Sequence, residues 1–257
     1  MSSKKLIITA AISYIVFLLI LLPAAQIIPL LKIPASTASF SGISGSIWSG
    51  KIDHIRLQKQ NIRAAQWDIK PLSLLTGKLS ANILSSYQSI DATALLDYSL
   101  FSKKLSFSDL RSEFSASQLQ KILELPFAEL SGSLHMDMNS IVLQKNKLSQ
   151  INGQITWNDA KVKVSKPISL GILNFDISTP NAGELSATLS NKQGALSIQG
   201  KLKLLANSRY TLDVRLKPRA NAPAELTDLL RLVAPKKIQS EHVIQRNGRL
   251  KIPGLLL

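Results

Sequence analysis

Long stretches of this chain alternate apolar and polar side chains residue by residue, a period of two that suits half-buried β-strands and little else. Tyr210, Leu212, Val214 and Leu216 alternate with Thr211, Asp213, Arg215 and Lys217. Leu196, Ile198, Leu202 and Leu204 do the same against Ser197, Gln199, Lys201 and Lys203. The pattern returns at Leu134, Met136 and Met138, at Leu173, Phe175 and Ile177, and at Leu185, Ala187 and Leu189. Turn signals such as Lys192-Gln193-Gly194 and Asn247-Gly248 separate these runs, so antiparallel hairpins with one wet face are expected. Only Gln118 to Leu125 and Ala224 to Val233 prefer a helical period, the second behind Pro223, an acceptable helix start. The expected fold is mainly β: curved antiparallel sheets with two short helices.

A different pattern opens the chain. From Leu6 to Leu22 it is almost continuously apolar and carries no charge, and Pro23-Ala24-Ala25 brings the stretch to the roughly 20 residues a helix needs to cross a bilayer. Lys4 and Lys5 precede it while Lys32 is the only near downstream cation, so the positive-inside rule keeps the N-terminus cytoplasmic and exports the rest. Length favours a retained anchor over a cleaved signal peptide, for which Pro23-Ala24-Ala25 would supply the small residues. Pro29, Pro34 and the small residues of Ala35 to Ser41 read as a linker leaving the membrane.

The 257 residues carry 31 Lys plus Arg against 16 Asp plus Glu. With Lys4, Lys5 and Lys32 set aside, 28 against 16 remain, a net +12 that attracts anionic partners. These cations are spread along wet strand faces with few aromatics between them, and an exported chain seldom meets nucleic acid, so lipid head groups or acidic protein surfaces are the expected contacts. Cysteine is absent, which excludes thiol catalysis and disulfides.

Two stretches repeat. Lys70-Pro71-Leu72-Ser73-Leu74 returns as Lys166-Pro167-Ile168-Ser169-Leu170; Gly45, Ile47 and Trp48 precede the first copy as Gly153, Ile155 and Trp157 precede the second. A short helix and a glycine-led strand follow each copy, at Gly132-Ser133-Leu134 and Gly248-Arg249-Leu250. Two duplicated half-domains that together form a groove are expected, set out as a cytoplasmic stretch 1–5, an anchor 6–25, a linker 26–41, a first half-domain 42–148 and a second 149–257.

No motif for chemistry accompanies this plan. His54, His135 and His242 stand far apart in sequence without metal-ligand spacing, and each is read as a polar residue on a strand surface. Neither a Gly-x-Ser-x-Gly elbow nor a phosphate loop is present, and each candidate strand carries at most one acid, which leaves paired-carboxylate chemistry little basis. Trp48, Trp67 and Trp157 are assigned to packing, Trp67 to the core. No catalytic, metal or cofactor residue is expected, and an enzyme is the least supported reading.

Gly45-Ser46-Ile47-Trp48-Ser49-Gly50, followed by Gln66-Trp67 and by Lys70-Pro71-Leu72-Ser73-Leu74-Leu75-Thr76-Gly77, resembles the type II secretion system protein N family. The similarity extends to the single anchor and the overall length. It implies a non-enzymatic accessory protein of the bacterial inner membrane, single-pass with its bulk in the periplasm, whose partners are other secretion-system components; it brings no catalytic residues. The chain is also similar in style to anchored β-groove proteins of the AsmA kind. That likeness implies the alternative function, an apolar trough that binds or transfers phospholipid.

Overall fold

The computed structural model describes residues 3–31, 38–57, 60–87, 90–122, 129–144, 147–163, 167–181, 184–205, 208–220, 222–223, 226–227, 230–231 and 234–249. The chain forms two compact units, Met1–Ser89 and Ile90–Leu257. Both are built on antiparallel β-sheet with strands taken in near-sequential order.

The first unit starts with helix α1 (Ser3–Ile20). Its apolar side chains project without cover: Leu6, Ile7, Ile8, Ile12, Phe17 and Leu18 are all exposed. The helix stops short of the expected Ala25 because Pro23 is extended (φ −71°, ψ 132°), and a proline disfavours helical geometry at the residue before it. Eighteen residues rise about 27 Å, and the first turn holds Lys4 and Lys5, so the apolar part falls short of a hydrocarbon layer of about 30 Å. Among the described residues, no helix is long and apolar enough to cross a membrane. Helix α2 (Ala24–Ile27) and a 3-10 turn (Ile28–Leu31) follow, and residues 32–37 of the expected linker lie outside the described residues.

The sheet of this unit is a meander of β1 (Ala38–Gly45), β2 (Ser49–Leu57), β3 (Gln60–Lys70) and β4 (Lys78–Tyr87). A 3-10 turn, Pro71–Thr76, joins β3 to β4. Trp67 on β3 donates its indole N–H to the Ile47 carbonyl at 2.9 Å, tying the β1–β2 turn to the third strand. Trp67 does not fill a core as expected. It is half-buried; among the described residues α2 packs against β1, two strands away.

The second unit runs β5 (Ile90–Ser99), β6 (Lys104–Ser115), β7 (Glu129–Gln144), β8 (Lys147–Lys163), β9 (Pro167–Asn181), β10 (Glu184–Lys192), β11 (Leu196–Leu205) and β12 (Arg209–Pro218). Strand β14 (Glu241–Arg249) pairs with β12, and the two-residue β13 (Lys237–Ile238) pairs with β14. Every run of alternation cited from the sequence lies in a strand. At the Lys192-Gln193-Gly194 hairpin, Gln193 (φ 65°) and Gly194 (φ 79°) take the left-handed conformation a tight turn needs. Asn247-Gly248 is not a turn but the interior of β14, paired with Thr211 and Tyr210. The glycine is used there for space, since a Cβ at Gly248 would press on the Tyr210 ring.

Helix α3 (Ala116–Ile122) follows β6 directly; the expected continuation to Leu125 lies outside the described residues. Its start is a reciprocal cap: the Ser115 N–H donates to Gln118 Oε1 at 2.8 Å, and the Gln118 N–H donates to Ser115 Oγ at 3.3 Å. Within the second expected helix, residues 226–227 and 230–231 are helical and the remainder of 224–233 lies outside the described residues. Of the repeated stretches, Lys70–Leu74 spans the end of β3 and the 3-10 turn, whereas Pro167–Leu170 opens β9 and Lys166 lies outside the described residues.

Candidate functional site

In the second unit, strand register assembles the apolar phase of each strand into rows. The first row runs Phe114, Leu134, Trp157, Leu173, Asn191 from β6 to β10 and continues as Ile198, Leu216, His242 from β11 to β14. Two residues along each strand, about 7 Å away, lies a second row of Met136, Ile155, Phe175, Leu189, Gly200, Val214 and Ile244. A third holds Met138, Gly153, Ile177, Ala187, Leu202, Leu212 and Arg246. The sheet therefore has one apolar face, three rows deep.

Cover is unequal along that face. Ala116 of α3 with Leu226 and Leu230 forms one buried cluster with Leu134, Trp157, Leu173 and Ile198 of the first row. Ile155, Phe175, Leu189 and Val214 of the second row are half-buried against it. In the third row Ile177, Ala187, Leu202 and Leu212 are half-buried and outside the cluster. A cleft of about 660 Å³ lies where β11, β12 and β14 end, lined mostly by residues of the opposite, polar phase, among them Lys203, Arg209, Thr211 and Arg249.

Besides Arg246 at the end of the third row, two polar residues occupy the apolar phase, Asn191 and His242, and both hydrogen-bond within the protein. The Asn191 side-chain amide donates to the carbonyls of Leu170 (2.7 Å) and Leu196 (2.8 Å), while its oxygen accepts from the Ile198 N–H at 2.7 Å. One side chain thus joins three strands where Gly171 and Gly194 let the backbones approach closely. His242 is 2 % exposed, which corrects its expected place on a strand surface. Its Nδ1 lies 2.7 Å from the Ala234 carbonyl, an atom that can only accept, so Nδ1 carries the proton. The ring thereby closes the end of the first row against the segment that follows Leu230. A polar residue on the apolar phase was the signal for both positions, but alternation alone does not show which polar residues find partners.

Trp157 shows how the row is locked. Its indole N–H donates to the Ser131 carbonyl at 2.9 Å, and the ring lies over Gly132 (φ 110°), where a Cβ would collide with the Asn158 carbonyl. Trp48 is half-buried in the first unit.

The opposite face is polar and charged, and many of its ions meet. Lys163 lies 3.1 Å from Glu129, Lys203 3.4 Å from Glu184, Arg215 3.6 Å from Asp213 and Arg111 3.9 Å from Asp137. Such exposed pairs contribute about 0–1 kcal/mol each and serve mainly solubility and register. The Glu184 carboxyl is held below its ordinary range by a hydrogen bond from the Asn181 amide and by Lys203. His135 is half-buried beside Glu113, at 3.6 Å, and His54 is exposed on β2. The three histidines stand on β7, β2 and β14, and among the described residues no group of three or more His, Asp or Glu could hold a metal ion.

The fold and this face define an open antiparallel β-protein with one partly covered apolar face and an exposed apolar helix at its start. The sequence profile described as type II secretion system (T2SS), protein N, matches residues 37–242, and the chain belongs to that family. Type II secretion system protein N of Aeromonas hydrophila is 21% identical over 254 residues, covering 96% of this chain and 99% of the relative. The protein of the same name from Vibrio cholerae serotype O1 (strain ATCC 39315 / El Tor Inaba N16961) is 26% identical over 235 residues, covering 89% and 91%. No solved structure matches the chain.

Proposed function

We propose that this chain is a non-enzymatic accessory component of the bacterial type II secretion machinery, held at the inner membrane by α1 with its sheet in the periplasm, where it assembles with other secretion components. The observation that carries the assembly role is the edge of the second unit's sheet. Beyond the two residues paired to β13 and Val243, whose N–H donates to the Lys236 carbonyl, the outer edge of β14 from Ile244 to Arg249 has no strand beside it among the described residues. An open edge is a template for strand addition, and Arg246 and Arg249 on it suit an acidic partner. The membrane placement is supported by α1, whose apolar side chains project on all sides, as lipid contact requires. Leu21 and Leu22 extend the apolar stretch beyond Ile20, and local thinning of the bilayer accommodates the remaining shortfall. The half-domains 42–148 and 149–257 are part of the same proposal, supported by the return of Lys70-Pro71-Leu72-Ser73-Leu74 as Lys166-Pro167-Ile168-Ser169-Leu170.

The absence of native cysteine makes the test clean. Single cysteines at Gln245 and Asn247, crosslinked in intact secreting cells, are expected to capture another component of the machinery. Capture of none, with secretion unaffected by deletion of the chain, would overturn the assembly role. Replacing Leu6 to Ala25 by a cleavable signal peptide tests the tether separately, because full secretion by the released domain would show the anchor to be dispensable.

A second reading has its own observation. Arg246 apart, the third row is apolar, and its Ile177, Ala187, Leu202 and Leu212 lie outside the covered cluster, an arrangement that suits acyl chains laid along the sheet. Native mass spectrometry of the purified protein decides this: bound phospholipid supports a trough, and a lipid-free mass removes it.

A further inference from the structure

The Pro71–Thr76 turn presents its two most exposed leucines to solvent by construction. Leu72 is 78% and Leu75 84% exposed. In a 3-10 helix residues three apart eclipse one another, so these two side chains share one edge. The turn is tightly built. Ser73 Oγ donates to the Lys70 carbonyl at 2.7 Å and accepts from the Ser80 N–H at 3.0 Å, and Thr76 Oγ1 donates to the Ser73 carbonyl at 2.8 Å. Gly77 (φ 70°) closes it, its N–H donating to the Leu74 carbonyl at 3.0 Å. A structured turn that holds two leucines together on one exposed edge is suited to an apolar contact.

The hydrogen bonds of the first unit locate that partner. The Ile47 N–H donates to the Leu22 carbonyl at 3.0 Å, and Ser46 bridges to Pro23, so the β1–β2 turn is fastened to the exit of α1. The next residue, Trp48, accepts from the Ile69 N–H, and Ile69 stands immediately before Lys70 and the leucine turn. The turn therefore lies at the end of the first unit's sheet that is tied to the apolar helix. Lys70 and Lys78 flank it, both exposed, with no acidic residue between them.

We propose that Pro71–Thr76 is a second membrane contact, with Leu72 and Leu75 seated among the acyl chains of an anionic bilayer surface and Lys70 and Lys78 at its head groups. This rests on the reading of α1 as a membrane helix. The helix and the turn then hold the first sheet at two points, which fixes its tilt to the membrane where a single tether would let it swivel.

The test uses the full-length chain with single cysteines carrying an environment-sensitive fluorophore at Leu72→Cys, Leu75→Cys, Ile12→Cys in α1 and Thr188→Cys on the polar strand face. Each is reconstituted in phosphatidylcholine vesicles containing about a quarter phosphatidylglycerol, to supply anionic charge. Quencher-bearing lipid is expected to lower emission at Leu72, Leu75 and Ile12 roughly twofold or more while leaving Thr188 unchanged. Quenching at Ile12 but not at the two leucines would overturn the second contact and leave the anchor standing. No quenching at any of the three would overturn both. Shielding of Leu75 from aqueous iodide without quenching by lipid would mean a protein partner, which also overturns the proposal.

Discussion

The same lock appears in both units with different surroundings. In each, a tryptophan on a strand reaches back to a neighbouring strand or turn and donates its indole N–H to a carbonyl at 2.9 Å, Trp67 to Ile47 and Trp157 to Ser131. Trp157 is buried beneath Leu226 and Leu230, whereas Trp67 stays half-buried. Among the described residues, most buried apolar ones belong to the second unit, and those on the first sheet are Ala38, Ile52 and Ala81. The difference shows that a strand supplies an apolar face but a second layer must exclude water from it. On the first sheet α2 packs against β1 while the leucines of the Pro71–Thr76 turn stay exposed, which is the physical ground for assigning a membrane contact to that unit.

The comparison breaks if cover is not what separates the two. Trp157→Ala should destabilise the second unit by about 3–5 kcal/mol, the usual cost of emptying a buried aromatic site. Trp67→Ala should cost its own unit less, roughly half as much, since that side chain is only partly withdrawn from water. Peptide-resolved hydrogen exchange on the full chain reads both, and equal losses of protection would show that cover contributes nothing. Leu230→Ala sharpens the point by thinning the cover itself: about 2–4 kcal/mol is expected, with faster exchange in β7, β8 and β9 but not in β1 to β4. Asn191→Ala takes a hydrogen bond from the Leu170 carbonyl and the Ile198 N–H, while the Leu196 carbonyl keeps Arg219 Nε at 3.1 Å, at a cost of about 2 kcal/mol confined to the strands it joins. Uniform loss across the chain would contradict that local role.

The smallest effect is electrostatic. The carboxyl of Glu184 titrates below its unfolded range, so its contribution is complete above the ordinary carboxylate range and disappears as pH falls through the lowered value. Protection at the start of β10 should decline over that acidic interval, and Glu184→Gln should abolish the decline. An unchanged pH profile in the variant would assign the effect to another group.

Much of the candidate site was legible beforehand. Leu134, Leu173, Ile198 and Leu216 were marked as one apolar phase by alternation, and Gln193-Gly194 as a turn. Asn191 and His242 were not recognised, because a polar residue on an apolar phase is ordinary at an exposed edge and becomes a junction only when another strand or segment brings carbonyls to it. Asn247-Gly248 misled for a related reason: the dipeptide suits a turn, yet Tyr210 on the neighbouring strand needed the space above a glycine.

What the sequence determined by itself was local: strands, because side chains alternate at every residue; the faces of those strands; the helix that opens the chain; and the cap that starts α3. Tertiary structure alone decided which part of the apolar face is covered, which polar residues in it find partners, and which leucines are left outside. Those outcomes depend on what packs against a residue from far along the chain, and no period within a segment carries that information.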